Sequence, residues 1–251
     1  MKITGYSESG VVNSLFYEMR FTEEGSDLLD EFLSQIEFPN YHQDFVITGA
    51  SIYIEPSFSD FGQADALFLV DNLHKKQSLF LESEVKSTSR KVWKIQDEYK
   101  KFIDSIMKYN YTSVRGTVHY SNLFTQLYYK QRMAKAMKGG GMPAVKSGVP
   151  FPKCFGKKKR KIGSKKTVRK AADALSEYLD GSFFVLLVPD SESNLCDFFN
   201  DISFNYGLSE LKEWDTANWG YLTWAKVERF CKRTKMTNTL AAFDHNRGQI
   251  Y

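Results

Sequence analysis

An acid heads one apolar run and a Glu-x-Lys triplet closes the next. Asp65 precedes Ala66-Leu67-Phe68-Leu69-Val70, and Glu84-Val85-Lys86 follows Ser78-Leu79-Phe80-Leu81-Glu82-Ser83. The polar turn Asp71 to Gln77 joins them, so the pair reads as two neighbouring strands. Side chains alternate along a strand, which sends Glu82, Glu84 and Lys86 to one face and Leu81, Ser83 and Val85 to the other. Two carboxylates and an ammonium ending an apolar strand are costly to bury without a partner. A hard divalent cation supplies one, since Mg2+ takes one or two carboxylates together with water and phosphate oxygens. On this reading Asp65 and Glu84 are the ligands and the Val85 carbonyl adds a third oxygen. Lys86 then orients the attacking water or stabilises charge on the pentavalent phosphate. The same triplet also reads as the solvated side of an edge strand, and Glu98-Tyr99-Lys100 and Glu210-Leu211-Lys212 repeat the pattern elsewhere.

Periodicity places this pair within an α/β order. Ser7 caps a helix with Val11, Val12, Leu15, Phe16 and Met19 on one stripe, and a second amphipathic stretch spans 26–36. Residues 44–53 are β-rich, with Gly49 as a bend. A long helix runs from Ser89 to about Tyr109, carrying Val92, Ile95, Tyr99, Phe102, Ile103 and Ile106 on one face. Helix, three strands, helix is therefore the order of the first 110 residues. Beyond it lie a helix near 121–138, the break Gly139-Gly140-Gly141, a loop to Gly156 and a helix over 167–179. The six-residue run Phe183 to Val188, ended by Pro189, reads as a buried strand. A helix near 194–202, a segment around Trp219 to Trp224 and a basic helix through Lys232 follow, and the last dozen residues read as a loosely held tail.

Glu8 sits where the apolar stripe of the first helix would continue, at i−3 and i−4 from Val11 and Val12. A first-turn Glu is favoured by the helix dipole, which accounts for Glu8 alone. It does not account for an inward acid, an acid-headed strand and Glu-x-Lys occurring in this order. In that order, Tyr6-Ser7-Glu8-Ser9-Gly10, Gly62-Gln63-Ala64-Asp65 and Glu84-Val85-Lys86 make the chain resemble the PD-(D/E)xK nuclease superfamily, across residues 1 to 110 and the Phe183 strand. The resemblance implies a restriction-endonuclease-like core of helix, three-strand meander, helix and further strand. It implies Asp65 and Glu84 as metal ligands, Lys86 as the catalytic lysine and Glu8 as an auxiliary acid. Mg2+ (or Mn2+) is the implied cofactor, and phage defence and recombination are settings common to the family. Ala64 stands where the family name has proline. Gln96 and Tyr99 fall one residue short of the Gln-x-x-x-Tyr spacing of the RecB-like branch, which is not assigned. Glu82 reads either as a ligand to a second metal or as a partner of Lys86 or of a neighbouring strand. Asp60 takes the place of Asp65 if its strand begins earlier.

Charge is distributed unevenly. The 68 residues from Ser105 to Ala172 hold 17 of the 34 Lys and Arg and no acid, which leaves a balance of −13 elsewhere. Such a segment repels itself unless a polyanion or the acidic remainder lies against it. Lys157, Lys158, Lys159, Arg160, Lys161, Lys165, Lys166, Arg169 and Lys170 are the candidate phosphate contacts. Tyr109, Tyr111, Tyr120, Tyr128 and Tyr129 can stack on unpaired bases, although packing is the commoner use. A solvated loop or a nuclear import signal is the competing reading of the lysine tract.

The expectation is an α/β nuclease core over 1–110 and 181–251, interrupted by a basic, mostly helical insertion over 111–180. No run approaches the ~20 apolar residues of a membrane span. The first ten residues lack a secretory apolar region, and Cys154, Cys196 and Cys231 form no CxxC pair, which fits a reducing cytoplasm. The expected partner is nucleic acid, with DNA as the substrate, no membrane, and a homodimer or partner subunit where both strands are cut. The competing class is a non-catalytic nucleic-acid-binding subunit.

Overall fold

The computed structural model describes residues 7–22, 25–40, 45–73, 75–85, 92–112, 121–201 and 208–250. Helices α1 (Ser7–Phe21) and α2 (Gly25–Leu33) come first, followed by strands β1 (Ile47–Ile54), β2 (Ala66–Asn72) and β3 (Lys75–Ser83). Next are α3 (Ile95–Thr112), α4 (Leu123–Ser147), β4 (Val149–Pro150), β5 (Lys159–Arg160) and α5 (Lys166–Leu175). The chain continues through β6 (Gly181–Val188), α6 (Glu192–Asp201), β7 (Trp219–Thr223), α7 (Trp224–Arg233) and α8 (Thr237–Ile250). The fold is α/β, built on a mixed five-stranded sheet in the order β1-β2-β3-β6-β7. The first three strands form an antiparallel meander, and β6 and β7 extend it in parallel.

Strand alternation divides the core into two layers. Leu67, Leu69, Phe80, Phe184, Leu186 and Val188 face α3 and α4, while Ala66, Phe68, Val70, Leu79, Leu81, Val185 and Leu187 face α1, α2, α7 and α8. Helices on both faces explain why the central strands read as continuous apolar runs. The stripes expected on the first two helices are buried at Val11, Val12, Leu15, Phe16 and Met19 and at Leu28, Leu29, Phe32, Leu33 and Ile36.

Several boundaries differ from the sequence reading. The two central strands run through the expected turn: Asp71 lies opposite Lys76, and Asn72 Nδ2 donates to Gln77 Oε1 at 2.8 Å, so polar side chains are satisfied within the register. Helix α3 begins at Ile95, whose N–H donates to Asp190 Oδ2 at 2.9 Å; Val92 is exposed and non-helical, and Ser89 lies outside the described residues. This cap comes from a segment 95 residues away, which no local pattern reveals. Helix α4 continues through the glycines, kinking at Gly141 (φ 60°, ψ −162°), a conformation that favours glycine.

The basic segment is not appended to the core. Leu123, Phe124, Leu127, Tyr128, Tyr129, Met133 and Met137 of α4 are buried in the same cluster as Phe80 and Phe184, so this helix forms a layer of the fold. The final residues form α8 rather than a loose tail, with Ala242, Phe243 and Ile250 buried. Glu18 of α1 accepts from the N–H groups of Asn238 (3.1 Å) and Thr239 (2.8 Å), capping that helix from another element. Among the described residues no helix is long and apolar enough to cross a membrane.

Candidate functional site

Asp65 lies one residue before β2, at the end of the sheet where β3 finishes. Its backbone is held on both sides, donating to Leu81 O and accepting from Glu55 N. Its Oδ2 accepts from Ser83 N at 2.6 Å and Ser83 Oγ at 2.7 Å. Those two donors fix the carboxylate and favour its charge, but burial acts more strongly and pushes its pKa above the ordinary range. No described donor reaches Oδ1.

Glu82 is almost fully buried, one residue short of the end of β3, and Lys130 of α4 comes down onto it. Lys130 Nζ lies 2.7 Å from Glu82 Oε1, with side-chain exposures of 0% and 2%. The same ammonium donates to Gln63 O at 2.7 Å. Burial first and the Asp65 charge second raise the Glu82 pKa, against the lowering pull of Lys130. Of the roles open to Glu82, pairing is the one observed. Its partner among the described residues is not on a neighbouring strand but is a lysine 48 positions away. Lys130 falls on the buried stripe Leu123, Leu127, Ala134, Met137 of α4. A cation at a core position was the legible sign that an internal anion awaited it.

Glu84 continues the line of β3 beyond its last strand residue. Its N–H donates to Leu187 O at 2.9 Å, and its carbonyl accepts from Trp224 Nε1 at 2.8 Å. The backbone is thus pinned while the carboxyl group, half-buried, has no ion-pair partner among the described residues. Burial, then the charges of Glu98 and Glu8, push it up to about 7. Glu98 is buried at the start of α3, where Asn122 Nδ2 donates to Oε1 at 2.7 Å and Lys101 Nζ lies 3.0 Å from Oε2. In the sequence Glu98 figures only in a repeat of the Glu-x-Lys pattern, although it sits on the buried stripe of its helix. Val85 packs its side chain against the α1–α2 layer, opposite to Glu82, as alternation requires. Lys86 lies outside the described residues, as does Tyr6.

Carboxylate and carbonyl oxygens are the donor type a hard cation takes. Two acids, Glu98 and Glu8, act on Glu84, and Glu98 has an ion-pair partner in Lys101 where Glu84 has none among the described residues. Among the described residues no three His, Cys, Asp or Glu side chains form a ready ligand shell.

The basic segment divides into buried and exposed charge. Arg160, expected as a phosphate contact, is only 2% exposed and is an internal residue. Its guanidinium donates to Tyr129 Oη and Phe155 O, each at 2.8 Å, and to Asp60 O, with its carbon 3.8 Å from the Tyr129 ring centroid. Nothing remains of it to offer a polyanion. Lys157 is exposed and pairs with Asp60 at 2.5 Å, and Arg169 lies 3.8 Å from Asp173. Lys158, Lys159, Lys161, Lys165, Lys166 and Lys170 are exposed with no acid within ion-pair distance among the described residues. Tyr128 and Tyr129 are core residues, Tyr109 packs against the core, and Tyr120 and the Tyr111 side chain lie outside the described residues.

Position ties these lysines to Asp65. Strands β4 and β5 pair, and the segment after them docks on the turn Ser59–Phe61: Asp60 N donates to Lys161 O, and Gly163 N donates to Ser59 Oγ at 2.8 Å. Asp60 therefore anchors the basic hairpin and does not replace Asp65. The chain matches no family model, and searches of curated proteins and of solved structures found no match.

Proposed function

We propose that the chain is a Mg2+-dependent nuclease that hydrolyses phosphodiester bonds of DNA on a PD-(D/E)xK-type core. The order α1, meander β1-β2-β3, α3 and parallel β6 supports that core, and the acid before β2 lies beside the end of β3. The observation that carries the reading is Glu84: a half-buried carboxyl at the end of β3, pushed up by burial and two other acids, with no ion-pair partner among the described residues.

In this reading Asp65, Glu84 and the Val85 carbonyl hold the metal, and Glu8 supports it from α1. A bound Mg2+ supplies Lewis-acid polarisation of the phosphate and a water of lowered pKa. Ser83 fixes one oxygen of Asp65 and leaves the other to the ion. Lys130 offsets the Glu82 charge beneath, and its own charge acts on Asp65 against the effect of burial. Lys86, two residues after Glu84 in the sequence, is the candidate to orient the attacking water. The exposed lysines of the β4–β5 hairpin and the start of α5 hold the phosphate backbone against the turn that leads to Asp65.

A non-cleaving nucleic-acid-binding subunit is the second reading, favoured by the lack of a three-ligand cluster among the described residues. Incubating plasmid and linear DNA with Mg2+, Mn2+ or EDTA distinguishes the two. Nicking or cutting that needs the ion and disappears in Asp65→Asn supports the nuclease. Salt-sensitive binding with no cleavage in either ion supports the subunit.

A further inference from the structure

The two edges of the sheet are treated differently. At β7, Glu37 and Tyr221 exchange backbone hydrogen bonds of 3.0 and 2.9 Å, which covers that edge. At β1 no described residue does the same. Glu55 N donates to Asp65 O in the β1–β2 register, so by the two-residue repeat Gly49, Ser51 and Tyr53 turn their amides to β2. Ala50, Ile52 and Ile54 turn theirs outward. Strand β1 has the sequence ITGASIYI, with neither a charge nor a proline. Natural edge strands are ordinarily guarded by such residues.

A groove of about 1110 Å3 runs along the whole of β1, walled by Phe16, Tyr17, Arg20, Asp27 and Asp30 of α1 and α2. Exposed aromatics flank it: Tyr17 lines the groove, and Phe21 (80% exposed) lies in the chain between its lining residues Arg20 and Thr22. An uncharged edge that no other described residue pairs with, bordered by exposed aromatics, marks an interface.

We propose that β1 pairs antiparallel with β1 of a second copy, joining two sheets across a two-fold axis. Such an axis stands perpendicular to the sheet and keeps the α1–α2 layers of both copies on the same side. Each wall then meets the other over the seam, filling both grooves and covering Tyr17 and Phe21. The walls suit themselves: each carries Arg20 with Asp27 and Asp30, so the dyad can set a cation of one copy against acids of the other. The strand is uncharged, so no like charges meet at its centre. This inference is independent of the nuclease reading.

Sedimentation velocity of the full chain tests it, with Ala50→Lys and Phe21→Glu as variants. Both substituted residues are exposed, and circular dichroism checks that the fold survives. The wild type is expected to sediment as a dimer, and each variant to weaken self-association about 100-fold as like charges are brought together at the seam. A wild type that remains monomeric at about 100 µM overturns the proposal, since a self-interface of useful affinity would be populated there. Variants that dimerise as well as the parent overturn it too. So does a dimer whose Ala50, Ile52 and Ile54 amides exchange as fast as those of the diluted protein.

Discussion

Lys130 Nζ stands 2.7 Å from Glu82 Oε1 with neither side chain open to solvent. Removing one partner strands the other charge in the core. Lys130→Ala is expected to cost about 3–5 kcal/mol, the usual loss for a broken buried pair. The double change Lys130→Met with Glu82→Gln should recover a large part of it, because no charge is left unmatched. Urea denaturation of the three proteins measures this. Equal losses in the single and double variants would mean that packing, and not charge, sets the cost.

Glu84 gives a pH dependence of definite sign. Its folded-state value of about 7 lies above the ordinary 4.5, so the fold holds a proton that the unfolded chain has released. The stability this contributes is full below about 4.5, falls as pH rises to about 7, and stays low beyond. Glu84→Gln should therefore show a shallower fall of melting temperature than the parent across that window. Added Mg2+ should stabilise the parent above pH about 7 and act less on the variant, because a cation favours the anion. Parallel melting curves for parent and variant would contradict this.

Arg160 and its neighbouring lysines should separate fold from binding. Arg160→Lys loses the planar fork that reaches Tyr129, Phe155 and Asp60, and is expected to cost about 3 kcal/mol. Lys158→Ala, Lys159→Ala and Lys165→Ala should leave the melting temperature unchanged while weakening DNA binding. Each lysine that contacts a phosphate of duplex DNA should reduce the salt slope by about 0.9. Fluorescence anisotropy over a salt series reads this directly.

Glu18 ties the first helix to the last by capping α8. Glu18→Ala is expected to cost about 1 kcal/mol, as for loss of a helix cap. Faster amide exchange should be confined at first to Asn238 and Thr239. Uniform acceleration across the sheet would instead make the contact part of the global core.

Much of the scaffold was legible because it is periodic. The stripes of α1 and α2, the apolar strands and the buried run Phe183 to Val188 follow from spacing alone. Elements set by distant contacts were not. Asp190 decides where α3 starts, and α8 is ordered by burial of Phe243 and by Glu18, neither of which its own sequence announces. At the candidate site, Asp65 and Glu84 are singled out in the sequence by their places at the ends of apolar runs. Lys130 and Glu98 required the harder step of asking why a charge occupies a helix's inner face. Arg160 was misread because a run of like residues hides the one whose side chain turns inward.

The most direct measurement is Mn2+ binding followed by electron paramagnetic resonance, with Mn2+ standing in for Mg2+. The account predicts saturable binding by the parent protein, weakened at least about tenfold in both Asp65→Asn and Glu84→Gln, as expected when one of few charged ligands is lost. Binding that is absent, or unchanged in either variant, would contradict the assignment of these two carboxylates to a metal.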